Sequence, residues 1–447
     1  MKEKTVINGP VYDARTLGTP RMLILGLQHM FAMFGATVLV PLLTGLDIAT
    51  TLLFAGLGTL LFHVLTKRKV PAFLGSSFAF IGGYNAIRTI GTDASGHPIY
   101  NNDLLVYACF GVACAGLMYV ILSALFKAFG VKKVMKFFPP IVTGPIIISI
   151  GLILSSSAIN NCNKNWIVAA AAIIIVVCFN IIPILLGVLG SYLISMLIDP
   201  ASRTAVAEKV AEAKIVGLPI VWENSVFHLF NMNVDTGMLL SAIFTIVPLS
   251  LATMVEHIGD ICAISSTVGK NYVADPGLHR TLLGDGLATT LAALFGAPAN
   301  TTYGENTGVL ALSKVYDPRV IRIAACFAII FSFCPKFAAL ITAMPTATIG
   351  GISLILYGMI SAVGVRNVVE NKVDFTNSRN VIVAALILVL AIGINYSIGS
   401  IQIGIVSLSG LAVASLVGII VNAILPGKDY EFGVDEQGDT SVNFIVR

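Results

Sequence analysis

The stretch "PANTTYGENTG" at residues 298–308 has a counterpart in "PAFLGSSFAF" at residues 71–80. Both begin with Pro-Ala, continue through small and polar residues, and then enter an apolar segment too short to cross a bilayer as a simple helix. Similarly, "PPIVTGPIIISIGLIL" from Pro139 resembles "MPTATIGGISLILYG" from Met344. Interrupted hydrophobic segments at matching places in two halves of a chain indicate the binding site of a transporter.

The composition places these motifs in a membrane protein. Of 447 residues, 56% are hydrophobic and 11% are charged, with a mean hydropathy of +0.90, whereas soluble domains carry about 25% charged residues. The net charge of +4 is too small to indicate a nucleic-acid partner. The amino-terminal residues lack the pattern of a cleaved signal peptide, so we expect the first span to act as the signal. The seven cysteines include no CxxC motif, and we interpret them as core residues.

Apolar runs separated by short polar breaks predict fourteen membrane segments. Two of them, 76–88 and 305–314, are too short for a full crossing. The predicted segments are 21–43, 48–66, 76–88, 104–127, 139–155, 166–179, 181–198, 237–263, 282–296, 305–314, 320–343, 346–364, 380–395 and 401–425.

The run at 166–198 is the difficult one, because 33 residues without a charge are long for one span and short for two. If it spans twice and the amino terminus is cytoplasmic, the loops rich in Lys and Arg all fall inside, as the positive-inside rule requires. If it spans once, every later basic loop falls outside. We therefore predict two spans here and cytoplasmic locations for both termini.

Seven spans per half, an odd number, would place the two halves in inverted orientations. Extended chain at 71–76 and 298–304 can satisfy its backbone groups within the membrane only by pairing. We therefore predict an all-α polytopic fold with a short antiparallel β ribbon, which leads into half-helices beginning near Ser77 and Glu305. Their amino-terminal N–H groups suit carbonyl oxygens or anions. The alternative is a pair of re-entrant turns without a ligand, which would leave Glu305 an unexplained charge.

A second acidic motif, "MVEHIGD", lies inside segment 237–263. Glu256 and Asp260 are four residues apart and share one helix face, so at least one should hold a proton near neutral pH. A proton relay needs that property. Alternatively, Asp260 is simply solvated near a helix end. Glu256, His257 and Asp260 are possible metal ligands by residue type, but EHxxD is not the zinc pattern HExxH, and we expect no metal and no cofactor.

Three residues near the motifs are candidates by type. His29 is alone in the first span, where it is an interhelical hydrogen-bond partner or a direct substrate contact. The small Ala36 suits a cavity wall, and Phe78 could stack on a planar ligand or simply contact lipid or the core.

The chain resembles the nucleobase–cation symporter-2 family, also called nucleobase–ascorbate transporters, from about Leu23 to about Ala423. The resemblance is carried by "LQHMFAMFGATVLVP", "PAFLGSSFAF", "EHIGD", "DPGLHR" and "NTTYGENTGV".

This resemblance implies fourteen segments in two inverted repeats of seven, divided between a core domain that holds the substrate and a gate domain that moves against it. The implied ranges are 21–127 (core, segments 1–4), 137–199 (gate, 5–7), 200–236 (extracellular loop), 237–343 (core, 8–11), 344–425 (gate, 12–14) and 426–447 (cytoplasmic tail).

The resemblance also implies a site for uracil at the two half-helix ends. Glu256 and Glu305 would accept hydrogen bonds from the ring, and the backbone N–H groups of Phe78 and Gly304 would donate to its carbonyls. Four further residues would line the site: Ala36, Ser77, Tyr303 and Tyr357. In this family Glu at position 305 favours uracil, whereas Gln is typical of xanthine carriers.

The resemblance predicts a proton-coupled uracil importer of the bacterial cytoplasmic membrane, with uracil, protons and the lipid bilayer as partners and a homodimer formed through the gate domain. Glu256, Asp260 and His29 are the proton-coupling candidates. The alternatives are another nucleobase, or an anion exchanger or channel of the same architecture. A membrane protease would need an HExxH or paired-Asp motif that the sequence lacks.

Two departures from the family pattern bear on these expectations. Asp260 stands where the best-matching members have a histidine linked to proton coupling, which leaves the coupling role open. The run at 166–198 is also shorter than the family's sixth and seventh segments, so the gate packing could differ.

Overall fold

The computed structural model describes residues 9–93, 98–178, 183–403, 406–428, 430–433 and 443–446. The chain is mostly helical, as predicted. The helices are α1 (Thr19–Thr44), α2 (Ile48–Leu65), α3 (Ile81–Arg88), α4 (Leu105–Phe129), α5 (Val131–Val134), α6 (Pro140–Cys162), α7 (Trp166–Cys178), α8 (Pro183–Ile198), α9 (Pro200–Glu212), α10 (Thr236–Ile246), α11 (Leu249–Val268), α12 (Leu278–Leu294), α13 (Glu305–Ser313), α14 (Pro318–Ser332), α15 (Pro335–Thr342), α16 (Thr346–Glu370), α17 (Ser378–Ser397) and α18 (Gly410–Ile424).

Among the described residues, eight short strands form four separate antiparallel pairs, β1 with β4, β2 with β3, β5 with β6 and β7 with β8. The strands are β1 (Leu74–Ser76), β2 (Thr89–Thr92), β3 (Pro98–Tyr100), β4 (Asn300–Thr302), β5 (Ser400–Ile403), β6 (Val406–Ser409), β7 (Tyr430–Gly433) and β8 (Asn443–Val446).

The helices identify a multi-pass membrane protein. Within the described ranges, six helical stretches are long and apolar enough to cross a bilayer, and a seventh is added if the bent pair α14–α15 counts as one. α7, α8 and α18 are apolar but shorter.

The predicted ribbon is confirmed. Leu74 pairs with Thr302, Gly75 with Thr301, and Ser76 with Asn300. All residues of both strands are buried, so the pairing supplies backbone partners where water cannot.

The two half-helices are confirmed as well. A 3₁₀ turn over Phe78–Phe80 follows β1 and leads into α3, whereas α13 begins directly at Glu305 after β4. The two helices run from the ribbon toward opposite faces, since the end of α3 contacts the last turn of α1 at Leu43, whereas the chain after α13 contacts Val11 before α1. We call the face reached by α13 the basic face, because Lys or Arg residues lie at the ends of helices there (Lys67, Lys132, Lys314 and Arg366). The opposite face, which α3 reaches, we call the hairpin face, since β2 and β3 form a hairpin there.

The run at 166–198 forms two helices, as predicted, with residues 179–182 between them outside the described part. α7 and α8 pack closely at small residues. A Cβ atom placed on Gly187 would lie 2.2 Å from Val176 Cγ2, and one on Gly190 would lie 2.6 Å from Ile175 Cδ1. The shortness of these segments is thus compatible with a packed helical hairpin.

Three predicted spans are not single straight helices. Segment 237–263 is α10 plus α11, interrupted at Val247 and Pro248, because proline has no N–H to donate. Segment 320–343 is bent by 88° between α14 and α15, just before Pro335. Segment 401–425 is helical only from Gly410 to Ile424, and its predicted start is wrong, since Ser400–Ile403 and Val406–Ser409 pair as β5 and β6.

The related helices α6 and α16 cross with very close backbones. A Cβ atom on Gly151 would lie 2.2 Å from Tyr357 O, and one on Gly364 would lie 2.7 Å from Gly144 O. Glycine at these crossings therefore permits the approach, as small residues do between membrane helices.

Arg88 ties several elements together at the hairpin face. Its guanidinium carbon lies 3.9 Å from the centroid of the Tyr100 ring, and its Nη2 donates to Leu43 O at 2.8 Å. Gly45 has a φ of +80°, and a Cβ atom there would lie 2.6 Å from Arg88 Nη1. Arg88 thus joins the end of α1 to α3 and to the hairpin.

Candidate functional site

The ribbon brings the two helix starts together at the centre of the fold. Ser77 N donates to Ala299 O at 2.8 Å, and Tyr303 N donates to Phe73 O at 3.3 Å, which extends the pairing at both ends. The first N–H groups of each following helix have no acceptor within that helix. The arrangement therefore presents two helix amino termini from the two halves of the chain, as the sequence predicts.

The Tyr303 side chain packs on the ribbon. Its hydroxyl donates to Ser76 O at 3.1 Å and lies 3.4 Å from Thr37 Oγ1 on α1. A Cβ atom on Gly75 would lie 2.4 Å from the Tyr303 ring, so only glycine fits beneath it. The ring therefore fixes β1 against α1 beside the site.

Phe78 and Tyr357 meet across the central region. Their rings make an edge contact with centroids 5.5 Å apart and planes at 84°. Phe78 follows β1, and Tyr357 lies on α16, so this contact joins the ribbon region to the α6–α16 pair. Ser77 beside it is 1% exposed, and its hydroxyl has no hydrogen-bond partner within the described ranges.

The acids of α11 lie close to the start of α13. Asp260 is 1% exposed, and a Cβ atom on Gly304 would lie only 2.8 Å from Asp260 Oδ1. Glu256, one turn earlier on the same helix, is half-buried. Asp260 is therefore a buried neighbour of the half-helix start and not a solvated residue at a helix end.

Two predicted site residues can be placed only by their backbones. Glu305 is the first residue of α13, and Ala36 lies within α1. The side chains of both residues lie outside the described part of the structure.

A buried His–Asp pair supports β4 from the side of α11 and α12, and of its two residues only His257 was named from the sequence. His257 Nδ1 lies 3.0 Å from Thr302 Oγ1 and 3.3 Å from Asp285 Oδ2, and both the histidine and the aspartate side chains are fully buried. Thr301 Oγ1 donates to the same carboxylate at 3.4 Å. The sequence did contain a clue to Asp285, because a charged residue within an apolar helix is costly in a membrane and therefore indicates a functional or structural role.

His29 makes the interhelical contact that its type suggests. Its Nδ1 lies 3.3 Å from Asn306 Oδ1, and Asn306 Nδ2 donates to Pro71 O at 2.8 Å. His29 is fully buried. Asn306, on the first turn of α13, therefore links α1 to the segment that precedes β1.

Two cavities lie on opposite sides of the ribbon region. One, of about 290 Å³, extends toward the basic face and is lined by Gly259, Cys262, Gly304, Thr307, Arg366 and Asn367, among others. The other, of about 460 Å³, lies toward the hairpin face, where its lining includes Phe78, Ala79, Arg88, Tyr100, Asn161 and Asn395. Each helix start thus borders a cavity leading to a different face.

A model of the Permease family, Xan_ur_permease, matches residues 20–400. The chain belongs to this family. This permease is also 37% identical over 439 residues to a protein named uracil permease from Bacillus subtilis (strain 168), covering 93% of this chain and 94% of that one. It is 38% identical over 442 residues to the uracil permease of Bacillus caldolyticus, covering 94% and 96% of the two chains. The uracil permease of Escherichia coli (strain K12) is 36% identical, with 90% of each chain covered.

The fold of this permease is also found among solved transporters of low sequence identity. The transmembrane domain of the cyanobacterial bicarbonate transporter BicA matches with a TM-score of 0.57 at 15% identity, covering 93% of this chain and 99% of that one. The structure of SLC26A9 matches with a TM-score of 0.59 at 12% identity, covering 92% and 66%. The family and the relatives named as permeases identify a transporter and not an enzyme.

Proposed function

We propose that this permease imports uracil across the bacterial cytoplasmic membrane, coupled to protons, by alternating access. The observation that carries the proposal is the β1–β4 ribbon, which brings two helix amino termini from opposite halves of the chain beside the acids of α11. The relatives named uracil permease supply the choice of substrate.

The chemistry of the ring matches the groups assembled there. Uracil offers two N–H donors and two C=O acceptors, so recognition needs two acceptors and two or more donors. In the proposed complex, the carboxylates of Glu256 and Glu305 accept from the ring N–H groups. The backbone N–H groups of Phe78 and Gly304 donate to the ring carbonyls, as half-helix ends do in other transporters.

The remaining proposed contacts shape the pocket around the ring. Tyr303, Ala36 and Ser77 line it from the ribbon and α1, and Tyr357 faces it from α16. The edge contact between Phe78 and Tyr357 supports this placement, since it joins the start of the first half-helix to α16.

The full architecture in this proposal has fourteen segments in two inverted repeats of seven. Residues 21–127 and 237–343 form the core domain, and residues 137–199 and 344–425 form the gate domain. Movement of the gate helices against the core would expose the site to one cavity at a time. The cavities on the two sides of the ribbon support such a route.

Proton coupling in this proposal involves Glu256, Asp260 and His29. Protonation of an acid accompanies binding from outside, and release inside lets the acid lose its proton. The buried position of Asp260 beside Gly304 supports a role in this step, since an acid placed there can respond to the occupancy of the pocket. An aspartate can relay a proton as a histidine can, although its reference pKa is lower.

The orientation follows from the basic face, which becomes the cytoplasmic side by the positive-inside rule. Both termini and the tail 426–447 are then cytoplasmic, and the loop 200–236 is extracellular. The proposal includes a homodimer formed through the gate domain.

The decisive experiment measures uptake of labelled uracil in cells lacking their own carrier. Uptake should fall as the external pH rises, and a protonophore should stop accumulation. Accumulation that survives the protonophore but requires sodium would contradict proton coupling. Glu305→Ala should abolish uracil binding in a scintillation proximity assay, and normal binding by this variant would show that the pocket is misplaced.

A panel of ligands separates this function from its rivals. Thermal shift with uracil, xanthine, uric acid and sulfate should show stabilisation by uracil, because a ligand that binds only the folded state raises Tm. Stabilisation by xanthine instead would change the substrate within the same family. An anion carrier would respond to sulfate, although such a protein would favour a basic residue where this chain has Glu305.

A further inference from the structure

An amino-terminal strap, residues 9–17, lies across the basic face and contacts the ends of two central helices. Val11 N donates to Lys314 O at 2.8 Å, and Tyr316 N donates back to Val11 O at 2.8 Å. These two bonds hold the strap to the chain that leaves α13. Val11 itself is 8% exposed and packs with Val315 and Val320.

The next residue of the strap reaches α11. The Tyr12 hydroxyl donates to Val268 O, in the last turn of that helix, at 2.8 Å. The Lys270 ammonium lies 4.6 Å from the centroid of the Tyr12 ring, and the Tyr316 ring centroid lies 5.6 Å from it. One aromatic side chain therefore contacts both the end of α11 and the segment after α13.

Charged groups fix the rest of the strap to the start of α14. Ala14 N donates to Asp317 Oδ2 at 2.7 Å, and Arg319 Nη1 donates to Asp13 Oδ1 at 2.8 Å. Ala14 is fully buried. Three elements, α11, α13 and α14, are thus joined by nine residues that precede the first membrane helix.

The geometry points to the strap as a positioning element for the pocket, an inference that rests on the proposed function. α11 carries Glu256 and Asp260, and α13 carries Glu305 at its first residue. α13 has only nine residues, so it reaches the basic face without crossing the whole fold. Its position relative to α11 is held at one end by the ribbon and at the other by the strap. Val11 and Tyr12 are the positioning residues.

The mechanism is mechanical and needs no contact between the strap and the ligand. A helix of nine residues is about 13 Å long, and its basic-face end opens more often when it is not held. Loss of the bonds at Lys314 O and Val268 O would let the basic-face ends of α13 and α11 shift independently. Glu305, at the first residue of α13, and Glu256 and Asp260, midway along α11, would then sample a wider range of separations. This weakens binding because recognition needs groups held within about 0.5 Å.

The test compares the full-length protein with Val11→Pro, which removes the N–H that donates to Lys314 O, and with Val11→Ala, which keeps it. We expect Val11→Pro to raise the Kd and the KM for uracil about tenfold with little change in maximal rate. Val11→Ala should stay within about twofold. Arg15→Gln is the matched surface control, because the ion pair of Arg15 with Asp13 lies within the strap and is exposed.

Hydrogen exchange of the α13 amides provides a second readout that needs no substrate. Val11→Pro should speed exchange over residues 306–313 about tenfold, whereas exchange over α17 should not change. Tyr12→Phe, which keeps the ring and loses only the hydroxyl bond to α11, serves if the proline variant does not fold. In the Tyr12→Phe variant, amide hydrogen exchange should be faster at the end of α11.

Unchanged exchange in α13 and in α11 for these variants would overturn the strap's positioning role whatever ligand the protein binds. Wild-type Kd in a folded Val11→Pro variant would overturn it as well. By contrast, wild-type protein that does not bind uracil would refute the proposed substrate, while the exchange result would still decide the role of the strap.

Discussion

Replacing Gly304 with alanine tests whether Asp260 adjoins the pocket. The added Cβ atom would lie 2.8 Å from Asp260 Oδ1 and 3.5 Å from Val363 Cγ1. The carboxylate or the start of α13 must therefore retreat by about 0.6 Å to reach the 3.4 Å of an ordinary contact. Gly304 has a φ of −61°, so the backbone itself accepts alanine and only the contact is affected.

The expected size of the effect follows from crowding in a packed interior, which typically costs about 1–3 kcal/mol. If the crowding destabilises only the ligand-bound state, the Kd for uracil rises about 5- to 150-fold. If it also destabilises the protein without ligand, Tm falls. Equilibrium binding of labelled uracil to purified protein, together with thermal unfolding, separates the two parts.

Gly308→Ala is the matched control on the same half-helix. A Cβ atom there meets nothing within 4 Å, and alanine favours a helix over glycine by roughly 0.5–1 kcal/mol. This variant should bind as wild type does and unfold at the same or a higher temperature. If Gly304→Ala binds uracil with the wild-type Kd and is as stable as Gly308→Ala, Asp260 does not adjoin the pocket.

Three other predictions follow from the contacts described. Asn306→Ala should lower Tm, because the buried Pro71 carbonyl would lose its donor at 2.8 Å, a loss of about 1–3 kcal/mol that thermal unfolding detects. Gly45→Ala should disturb the hairpin face and increase its proteolysis, since φ there is +80° and Arg88 Nη1 lies 2.6 Å from the new Cβ atom; an intact hairpin would contradict this. Hydrogen bonds from an adjacent arginine hold the pKa of the Asp13 carboxyl well below its usual range. The stabilisation that the Asp13 carboxylate gives the folded state is therefore present above its unfolded pKa and is lost only in strong acid. Neutralising Asp13 should thus leave the shape of the pH profile of uptake unchanged between about pH 5 and 8.

The ribbon was predictable from sequence because of a physical requirement that leaves few solutions. Two Pro-Ala segments, each too polar and too interrupted for a helix, must satisfy their backbone groups inside a membrane. Pairing with each other is the economical answer, and the register of Leu74 with Thr302 agrees with it. The division of 166–198 into two helices was predictable from the distribution of charge along the chain.

Other features depend on tertiary contacts that cannot be inferred from the spacing of residues along the sequence. His257 and Asp285 lie on different helices, and only the packing of α11 against α12 brings them within 3.3 Å. The contacts of the strap likewise join residues about 300 positions apart, such as Val11 and Lys314. The pairing of β5 with β6 was missed because a charge-free run was interpreted as helix, although the alternation in Ser-Ile-Gln-Ile at 400–403 is typical of a strand.

The ribbon also has a consequence for biosynthesis. Leu74 and its partner Thr302 are 228 positions apart, so the first strand is made long before the second exists. At about 5–20 residues per second, the ribosome needs roughly 10–50 s to reach the partner. During that interval the amino-terminal half carries an unfinished strand that lipid cannot satisfy. The amino-terminal half therefore cannot complete this part of its structure until the carboxy-terminal half arrives.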